Sequence, residues 1–204
     1  MMRDQREAWD SFYDDNHRPW RGVSDLGDVP FPVKGKILEV GCGNGKTAVA
    51  LSKKGFSVTA IDFSESAIEM CRSTIPDAGE FVCASITDLP FDDSSFDGAV
   101  VFHVVEHLTD DEMVKASAEL SRVLKKGSHL LIKCFAKGDM RSEKGARIDD
   151  STYLRGNGIL YHYFEKEELL LYFSSFQCAG IDVVEERTRF GTIRRRIETD
   201  LIRL

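Results

Sequence analysis

Three glycines at alternate positions are the feature of this sequence whose spacing is most specific for chemistry. Residues 36–51 read KILEVGCGNGKTAVAL, so a short apolar run is followed by Gly41, Gly43 and Gly45 and then by a helical pattern. A glycine turn between a strand and a helix directs backbone N–H groups and the positive helix end at a ligand, and the missing β-carbons let the ligand approach closely. The stretch therefore predicts a nucleotide-type binding site.

An acidic residue and the interval between the glycines narrow the choice of nucleotide. The dinucleotide fingerprint has its third glycine three residues after the second, whereas here the interval is two residues and Glu39 precedes the loop. The sequence EVGCGNG resembles motif I of the class I S-adenosylmethionine (SAM) methyltransferases. The resemblance implies SAM as the cofactor, with Glu39 near its methionine amino group. The implied cofactor residues of this loop are Glu39, Gly41, Cys42, Gly43, Asn44 and Gly45.

A second acidic residue lies at the end of the next predicted strand. Residues 57–61 are apolar and β-branched and lead into Asp62, with Phe63 next and Ser64 placed to cap a helix. A carboxylate there can accept hydrogen bonds from both ribose hydroxyls, worth about 1.5–3 kcal/mol as bonds to a charged group. The alternative role for Asp62 is that of a turn residue. We predict that Asp62 and Phe63 contact the nucleoside.

Residues 85–97, SITDLPFDDSSFD, resemble the third cofactor segment of the same family. The family pattern is gDaxxLPFxdxsFD, in which the acid accepts a hydrogen bond from the adenine amino group. This chain keeps LPF and SFD but has Ser85 in the acidic position. Recognition of adenine therefore falls to Ser85, to the backbone of Ile86 or to Asp88, and we assign Ser85 and Ile86 to the cofactor site.

Two histidines and a tyrosine are the candidates for acting on the methyl acceptor. His103 follows the fourth predicted strand, where the transferred methyl group should lie, and it can act as a base, orient the substrate or contact the cofactor. His162 and Tyr163 lie in the aromatic stretch 161–164, which either stacks on a planar substrate or packs against the next helix. We take His103, His162 and Tyr163 as the catalytic candidates.

The pattern HVVEH at 103–107 also matches the H-x-x-E-H zinc-binding pattern. That pattern needs one continuous helix to present both histidines, and here a strand-to-helix turn intervenes. We therefore predict no metal ion at this place.

The methyl acceptor is the feature that the sequence constrains least. Residues 155–158, RGNG, followed by Tyr163 and Phe164, resemble the RGDGT…YFF segment of methyltransferase-like enzymes acting on cytidine in tRNA. The basic run 194–196 either touches phosphate or is a solvated face. No NPPY-type tetrapeptide, which amino-group methyltransferases of DNA use, follows the fourth strand. We expect a small-molecule acceptor, with tRNA as the alternative and no DNA substrate.

Two other classes of protein compete with this interpretation. An NAD-dependent oxidoreductase would also place an acid beside the ribose, so Asp62 alone does not exclude it. A catalytically inactive SAM-fold binding or scaffold protein would keep the cofactor motifs without turnover.

The first 35 residues are polar but carry Trp9, Phe12, Tyr13 and Trp20 at intervals. The first three have helical spacing, so the segment is either an amphipathic helix packed on the sheet edge or a lid over the cofactor. Its resemblance to the N-terminal segments of many family members assigns Tyr13 and Trp20 to the cofactor site. We divide the chain into this helical or lid segment, 1–35, and a SAM-binding methyltransferase domain, 36–204.

Repeated strand–helix units between residues 36 and 135 predict the architecture. Such alternation specifies an α/β fold with a doubly wound, mostly parallel sheet. The resemblance implies seven strands with helices on both faces, a Rossmann-like methyltransferase fold, and an antiparallel last strand. The polar stretch at about 136–164 follows the fifth strand, beside the carboxyl ends where ligands of such sheets bind. We expect this insertion to face the substrate.

The composition is that of an ordinary globular protein. A length of 204 residues with 42% hydrophobic and 30% charged residues predicts one main domain, and the net charge of -7 argues against a surface that grips nucleic acid everywhere. No apolar run reaches the length of a membrane span. We expect a cytoplasmic protein without a membrane partner, either a monomer or a homodimer. The five cysteines form no C-x-x-C pair and are expected to be reduced core residues, namely Cys42, Cys71, Cys83, Cys134 and Cys178.

Overall fold

A computed structural model describes residues 5–16, 22, 24, 26–142 and 144–204. The strands are β1 (Lys36–Val40), β2 (Ser57–Asp62), β3 (Glu80–Cys83), β4 (Phe96–Phe102), β5 (Leu124–Phe135), β6 (Ala146–Arg147), β7 (Thr152–Leu154), β8 (Leu160–His162), β9 (Phe176–Arg187) and β10 (Ile193–Arg203). The α-helices are α1 (Gln5–Asp15), α2 (Lys46–Lys53), α3 (Glu65–Thr74), α4 (Asp110–Val123) and α5 (Lys166–Tyr172). Across these ranges, none of the helices is both long and apolar enough to traverse a bilayer.

Seven strands form the main sheet in the order β3-β2-β1-β4-β5-β10-β9. β10 is antiparallel to both β5 and β9, while the other neighbouring pairs are parallel. The strand order reverses between β1 and β4, and the crevice outside the carboxyl ends at such a point is where open α/β sheets bind ligands. The predicted doubly wound sheet with an antiparallel last strand is confirmed.

Helices cover both faces of this sheet because neighbouring residues of a strand point to opposite sides. Leu38 of β1 packs in one cluster with Leu120 of α4. Ile37, the preceding residue, packs in the other cluster with Leu51 of α2 and Ile68 of α3. The β1 residue after this pair is Glu39, which is buried and lies just before the glycine loop.

The insertion has more regular structure than its polar, aperiodic sequence indicates. β6, β7 and β8 form a separate antiparallel sheet, with Thr152 opposite His162 and Leu154 opposite Leu160. Lys137 N–H donates to the Phe164 carbonyl at 3.0 Å, which ties the two ends of the insertion to each other. The insertion is therefore a small folded unit at the carboxyl end of β5.

The prediction that all five cysteines belong to the core was wrong for two of them. Cys42, Cys71 and Cys134 are buried, whereas Cys83 and Cys178 are exposed. The exposed pair lies on β3 and β9, the two edge strands of the main sheet, where helix cover ends.

Candidate active site

The glycine loop joins β1 to α2 in a tight turn. Gly45 N–H donates to the Cys42 carbonyl at 2.8 Å and closes the turn around Asn44, and Cys42 N–H donates to Ile61 of β2 at 2.9 Å. Gly41 has φ 70°, and a β-carbon added there would overlap the Val104 side chain. A side chain at this position is excluded twice, by the backbone conformation and by the lack of space.

Glu39 is buried beneath this loop. The Thr47 side chain and the Ala48 N–H bind its carboxylate, and burial is the main cause of a pKa well above its usual value. Its Oε2 atom is buried and has no hydrogen-bond partner among the described residues. An orphaned buried carboxylate oxygen is costly unless a donor meets it, and a ligand ammonium group is such a donor. This oxygen fits the amino group of SAM.

Asp62 lies at the carboxyl end of β2, opposite the glycine loop. Its Oδ2 accepts the Gly43 N–H at 2.9 Å and its Oδ1 accepts the Ser64 N–H at 3.0 Å. Burial raises the pKa of Asp62 to about 6, against the lowering effect of those N–H donors. The backbone thus fixes the carboxylate, and the lone pairs that remain on its oxygens can accept ribose hydroxyls.

Ser85 and Ile86 lie in the turn that follows β3. The Ser85 hydroxyl is 2.8 Å from the Thr87 hydroxyl and accepts the Thr87 N–H at 3.2 Å, while Asp88 N–H donates to the Ser85 carbonyl at 3.1 Å. The Ile86 side chain is buried and the Asp88 side chain is exposed. The Ser85 side chain therefore holds the turn that sets the position of the Ile86 backbone.

Helix α1 packs across α3 and the insertion. Asp10 accepts the Ser64 hydroxyl at 2.6 Å, and Gln5 both donates to Gly158 at 2.9 Å and accepts from Leu160 N–H at 3.0 Å. Tyr13 is buried, and burial and the nearby Asp62 carboxylate raise its pKa. Tyr13 therefore lies next to the predicted ribose site, whereas Trp20 is outside the described residues.

Phe63 joins α1 to the nucleoside side of the sheet. It is partly buried against the cluster that contains Trp9 and Tyr13. Helix α1 therefore packs over α3 and the insertion. This position differs from packing against the outer sheet edge, which was one of the two arrangements that the aromatic spacing left open.

His103 follows β4 with a left-handed backbone, φ 59°. Non-glycine residues with this conformation are uncommon and are often found at functional sites. Its Nδ1 atom is 2.9 Å from Oε1 of Glu106, whose side chain is fully buried. A carboxylate only accepts, so Nδ1 carries the proton of this hydrogen bond and Nε2 is the ring nitrogen left for another partner. Glu106, which the sequence analysis did not single out, is thus the residue that orients His103.

Three aromatic rings from β5 and the insertion lie beside His103. The Phe135 ring is 4.8 Å from the His103 ring, and the rings of Tyr161 and Tyr163 lie roughly parallel to Phe135 at 6.2 and 5.9 Å between centroids. Phe135 was not among the predicted site residues. Its position at the carboxyl end of β5, the edge where such sheets bind ligands, was the available signal.

Two arginines cover this group of rings. Arg155 Cζ lies 3.6 Å from the centroid of Tyr161, and Arg141 Cζ lies 4.2 Å from that of Phe135. An Arg155 N–H donates to the Tyr163 hydroxyl at 2.8 Å, and that hydroxyl donates to the Arg141 carbonyl at 2.8 Å. We call Phe135, Arg141, Arg155, Tyr161 and Tyr163 the arginine–aromatic cluster. The arginines make cation–π contacts with these rings; Phe135 and Tyr163 are buried, while Arg141, Arg155 and Tyr161 are partly exposed.

His162 points away from the arginine–aromatic cluster. Its Nδ1 is 2.8 Å from the Thr152 hydroxyl and its Nε2 is 2.9 Å from Glu168 Oε1. Both ring nitrogens are therefore engaged, which favours the packing role that the sequence left open for His162. The cause is the alternating direction of side chains along β8 and the residue after it, because Tyr161 and Tyr163 face one side and His162 the other.

His107 is a structural neighbour of the cluster. Its Nδ1 donates to the Leu160 carbonyl at 2.6 Å, and its ring packs edge-on against Trp9 at 5.0 Å and Tyr161 at 4.7 Å. Burial lowers the pKa of His107, so the neutral ring is favoured. His107 thereby links α1, the turn after β4 and the insertion.

The fold and the site together define a nucleoside-binding α/β protein with an aromatic cluster at the carboxyl edge of its sheet. Residues 38–132 match the methyltransferase domain family. A SAM-dependent methyltransferase from Methanosarcina mazei superposes with a TM-score of 0.75 at 25% identity, covering 88% of this chain and 99% of the other. The chain belongs to the class I SAM-dependent methyltransferases, and SAM is the cofactor of this family.

Two curated relatives with similar methyltransferase domains are named for different methyl acceptors. The tRNA N(3)-cytidine methyltransferase of Danio rerio is 33% identical over 165 residues, which are 74% of this chain and 46% of the relative. The demethylmenaquinone methyltransferase of Clavibacter sepedonicus is 40% identical over 119 residues, or 57% of this chain and 47% of the relative. The chain spans about half the length of the curated relatives it matches.

Proposed function

We propose that this protein transfers the methyl group of SAM to N3 of a cytidine in RNA. The single observation that carries the proposal is the arginine–aromatic cluster beside His103, in which Phe135 and Tyr163 are buried and the partly exposed Tyr161 and Arg155 are the planar groups that a base can reach. The match to a tRNA N(3)-cytidine methyltransferase spans 74% of the chain, more than the 57% matched by the quinone enzyme. The sequence alone favoured a small-molecule acceptor, and these two observations favour the alternative.

We propose that the cofactor lies between β1, β2 and α1. When bound, SAM supplies a methyl group activated by its sulfonium charge. Glu39 Oε2 receives the amino group and Asp62 the ribose hydroxyls. The Ile86 backbone meets the adenine, and Tyr13 closes the site from α1.

The acceptor chemistry places few demands on the protein. N3 of cytidine has a lone pair and no proton to lose, so positioning does most of the work and a general base is not required. In the neutral ring Glu106 holds the proton on Nδ1, and His103 Nε2 then accepts a hydrogen bond from the exocyclic amino group next to N3. His103 and Glu106 are thus positioning residues.

A small apolar ring is the second candidate acceptor. The 40% identity to a demethylmenaquinone methyltransferase over 119 residues favours it, as does the net charge of -7. That identity covers 57% of the chain, so it rests on a shorter stretch than the likeness to the tRNA enzymes.

Labelled SAM separates the two acceptors. The full chain is incubated with a tRNA pool or with a demethylated quinone, and the RNA is digested to nucleosides and analysed by mass spectrometry. We expect label in 3-methylcytidine. Label in the quinone and none in the RNA would overturn the proposal, and Tyr161→Ala should reduce RNA labelling more than Tyr161→Phe.

A further inference from the structure

The β9–β10 hairpin rises above the edge of the sheet where the arginine–aromatic cluster lies. Arg196 of β10 is opposite Phe135, the last residue of β5, and the two strands are antiparallel. Residues 193–195 of β10 therefore extend past the end of β5, which raises the hairpin tip about 10 Å above Phe135 at 3.3 Å per residue.

Contacts of the hairpin with residues 139–141 fix this position. Arg195 N–H donates to Asp139 Oδ2 at 2.8 Å, and the other oxygen of the buried Asp139 accepts the Arg141 N–H at 2.9 Å and its Nε–H at 3.0 Å. Met140 N–H donates to the Ile193 carbonyl at 3.0 Å. One buried carboxylate thus joins the hairpin to an arginine of the cluster.

The hairpin tip carries three arginines. Arg187, Arg189 and Arg194 form no ion pair with any residue in the described part of the chain. The neighbouring acids are already engaged, since Glu185 pairs with Arg195 at 3.0 Å and Glu186 with Arg196 at 3.3 Å.

The tip also exposes an aromatic ring. Phe190 is 76% exposed, and the Arg189 guanidinium lies 4.7 Å from the centroid of its ring. Thr188 N–H donates to the Thr192 carbonyl at 2.8 Å, which holds the tip as a compact turn. Exposed cations beside an aromatic ring form the combination that binds single-stranded nucleic acid, through phosphates and stacked bases.

We propose that the tip of the β9–β10 hairpin, residues 187–194, binds the RNA backbone that flanks the target cytidine. This inference rests on the proposed function and names the element that selects RNA over a free nucleoside. A chain of net charge -7 needs a local group of cations to attract a polyanion, and this tip supplies arginines on both faces of the hairpin, with Arg187 opposite Ile193 and Arg194 opposite Glu186.

The test uses the variant R187Q/R189Q/R194Q and the matched control K53Q/K54Q/K115Q. The control removes the same charge from exposed positions on α2, the turn after it and α4. Methyl transfer to tRNA is measured against salt concentration, and binding of fluorescent tRNA is measured by anisotropy. Circular dichroism checks that each variant melts as the wild type does.

We expect the hairpin variant to raise KM for tRNA at least about tenfold and to reduce the slope of log affinity against log salt by about 2. Each lost phosphate contact with a single strand accounts for about 0.7 of that slope. The kcat value and the affinity for S-adenosylhomocysteine should stay within twofold, and the control should behave as the wild type.

Two failures are distinguishable. A hairpin variant with wild-type KM and salt slope, on a tRNA that the wild type methylates, would overturn the hairpin assignment and leave the proposed function intact. A wild-type protein that methylates no cytidine in tRNA would overturn the proposed function, and the hairpin inference with it.

Discussion

The carboxylate of Asp62 accepts the backbone N–H of Gly43 at 2.9 Å, so the end of β2 is tied directly to the glycine loop after β1. The same carboxylate accepts Ser64 N–H, which starts α3. One side chain therefore fixes the relative positions of two strands, a loop and a helix around the predicted nucleoside site.

Asp62→Ala should weaken binding of S-adenosylhomocysteine about tenfold or more. The variant loses the charge-assisted hydrogen bonds to the ribose hydroxyls, and a factor of ten corresponds to about 1.4 kcal/mol. Isothermal titration calorimetry measures the affinity. Asp92→Ala, at an exposed turn position, is the control and should bind as the wild type does. Equal affinity of a folded Asp62→Ala would falsify the ribose assignment.

The contribution of Asp62 to the stability of the cofactor-free protein should fall as pH rises from about 4 to about 6. The pKa of Asp62 is raised from 3.8 to about 6, so in this window the native state holds a proton that the unfolded chain has released. The stabilisation is complete below pH 3.8 and is lost as pH passes through 6. Urea unfolding at several pH values measures the slope, and Asp62→Asn should make it shallower. An unaltered slope in that variant would assign the dependence to other groups.

Gly41→Ala should destabilise the protein more than Gly55→Ala. Both glycines have positive φ, so both variants carry similar backbone strain, but only the Gly41 β-carbon would overlap Val104 while the Gly55 β-carbon would meet open space. Overpacking adds about 2 kcal/mol to the loss in the free energy of unfolding that Gly41→Ala causes. Denaturant unfolding gives the free energies, and Gly41→Ala should also lose S-adenosylhomocysteine binding. Equal losses for the two variants would contradict the packing of the loop against Val104.

His103→Ala should lower kcat about tenfold without changing the affinity for S-adenosylhomocysteine. One hydrogen bond to the acceptor, worth about 1.4 kcal/mol, accounts for this factor. Glu106→Gln should act in the same direction, and the double variant should be no slower than the slower single variant, because the two residues work as one unit.

The control for this pair is His129→Ala. His129 makes a similar contact with Asp200, at 2.7 Å, but at the end of the β5–β10 pairing farthest from Phe135 and the site. Additive losses of kcat in the His103 and Glu106 double variant, or an equal loss of kcat in His129→Ala, would contradict the positioning role of His103 and Glu106.

Tyr161→Ala should raise KM for tRNA by about fivefold to a hundredfold, whereas Tyr161→Phe should stay near the wild type. Stacking of one base on an aromatic ring is worth about 1–3 kcal/mol by alanine substitution, and phenylalanine keeps the ring. Steady-state kinetics with labelled SAM measures both variants. A folded Tyr161→Ala variant with the wild-type KM for tRNA would contradict the stacking role of Tyr161.

The sequence by itself determined the sheet and the cofactor loop. The strand, glycine turn and helix at 36–51 are contiguous, and their conformations follow from local rules on glycine, helix ends and apolar runs. The capping box of α4, with Thr109 and Glu112 three residues apart, is predictable for the same reason.

Only the tertiary structure decided which residues meet at the acceptor side. Gln5 bonds to Leu160 across 155 residues, and Phe135 joins Tyr161 only because the insertion folds into its own sheet. Sequence spacing grouped His162 with Tyr163, but His162, the last residue of β8, and Tyr163, the residue after it, point to opposite sides. Such contacts depend on strand pairing and burial between distant segments, which no local pattern specifies.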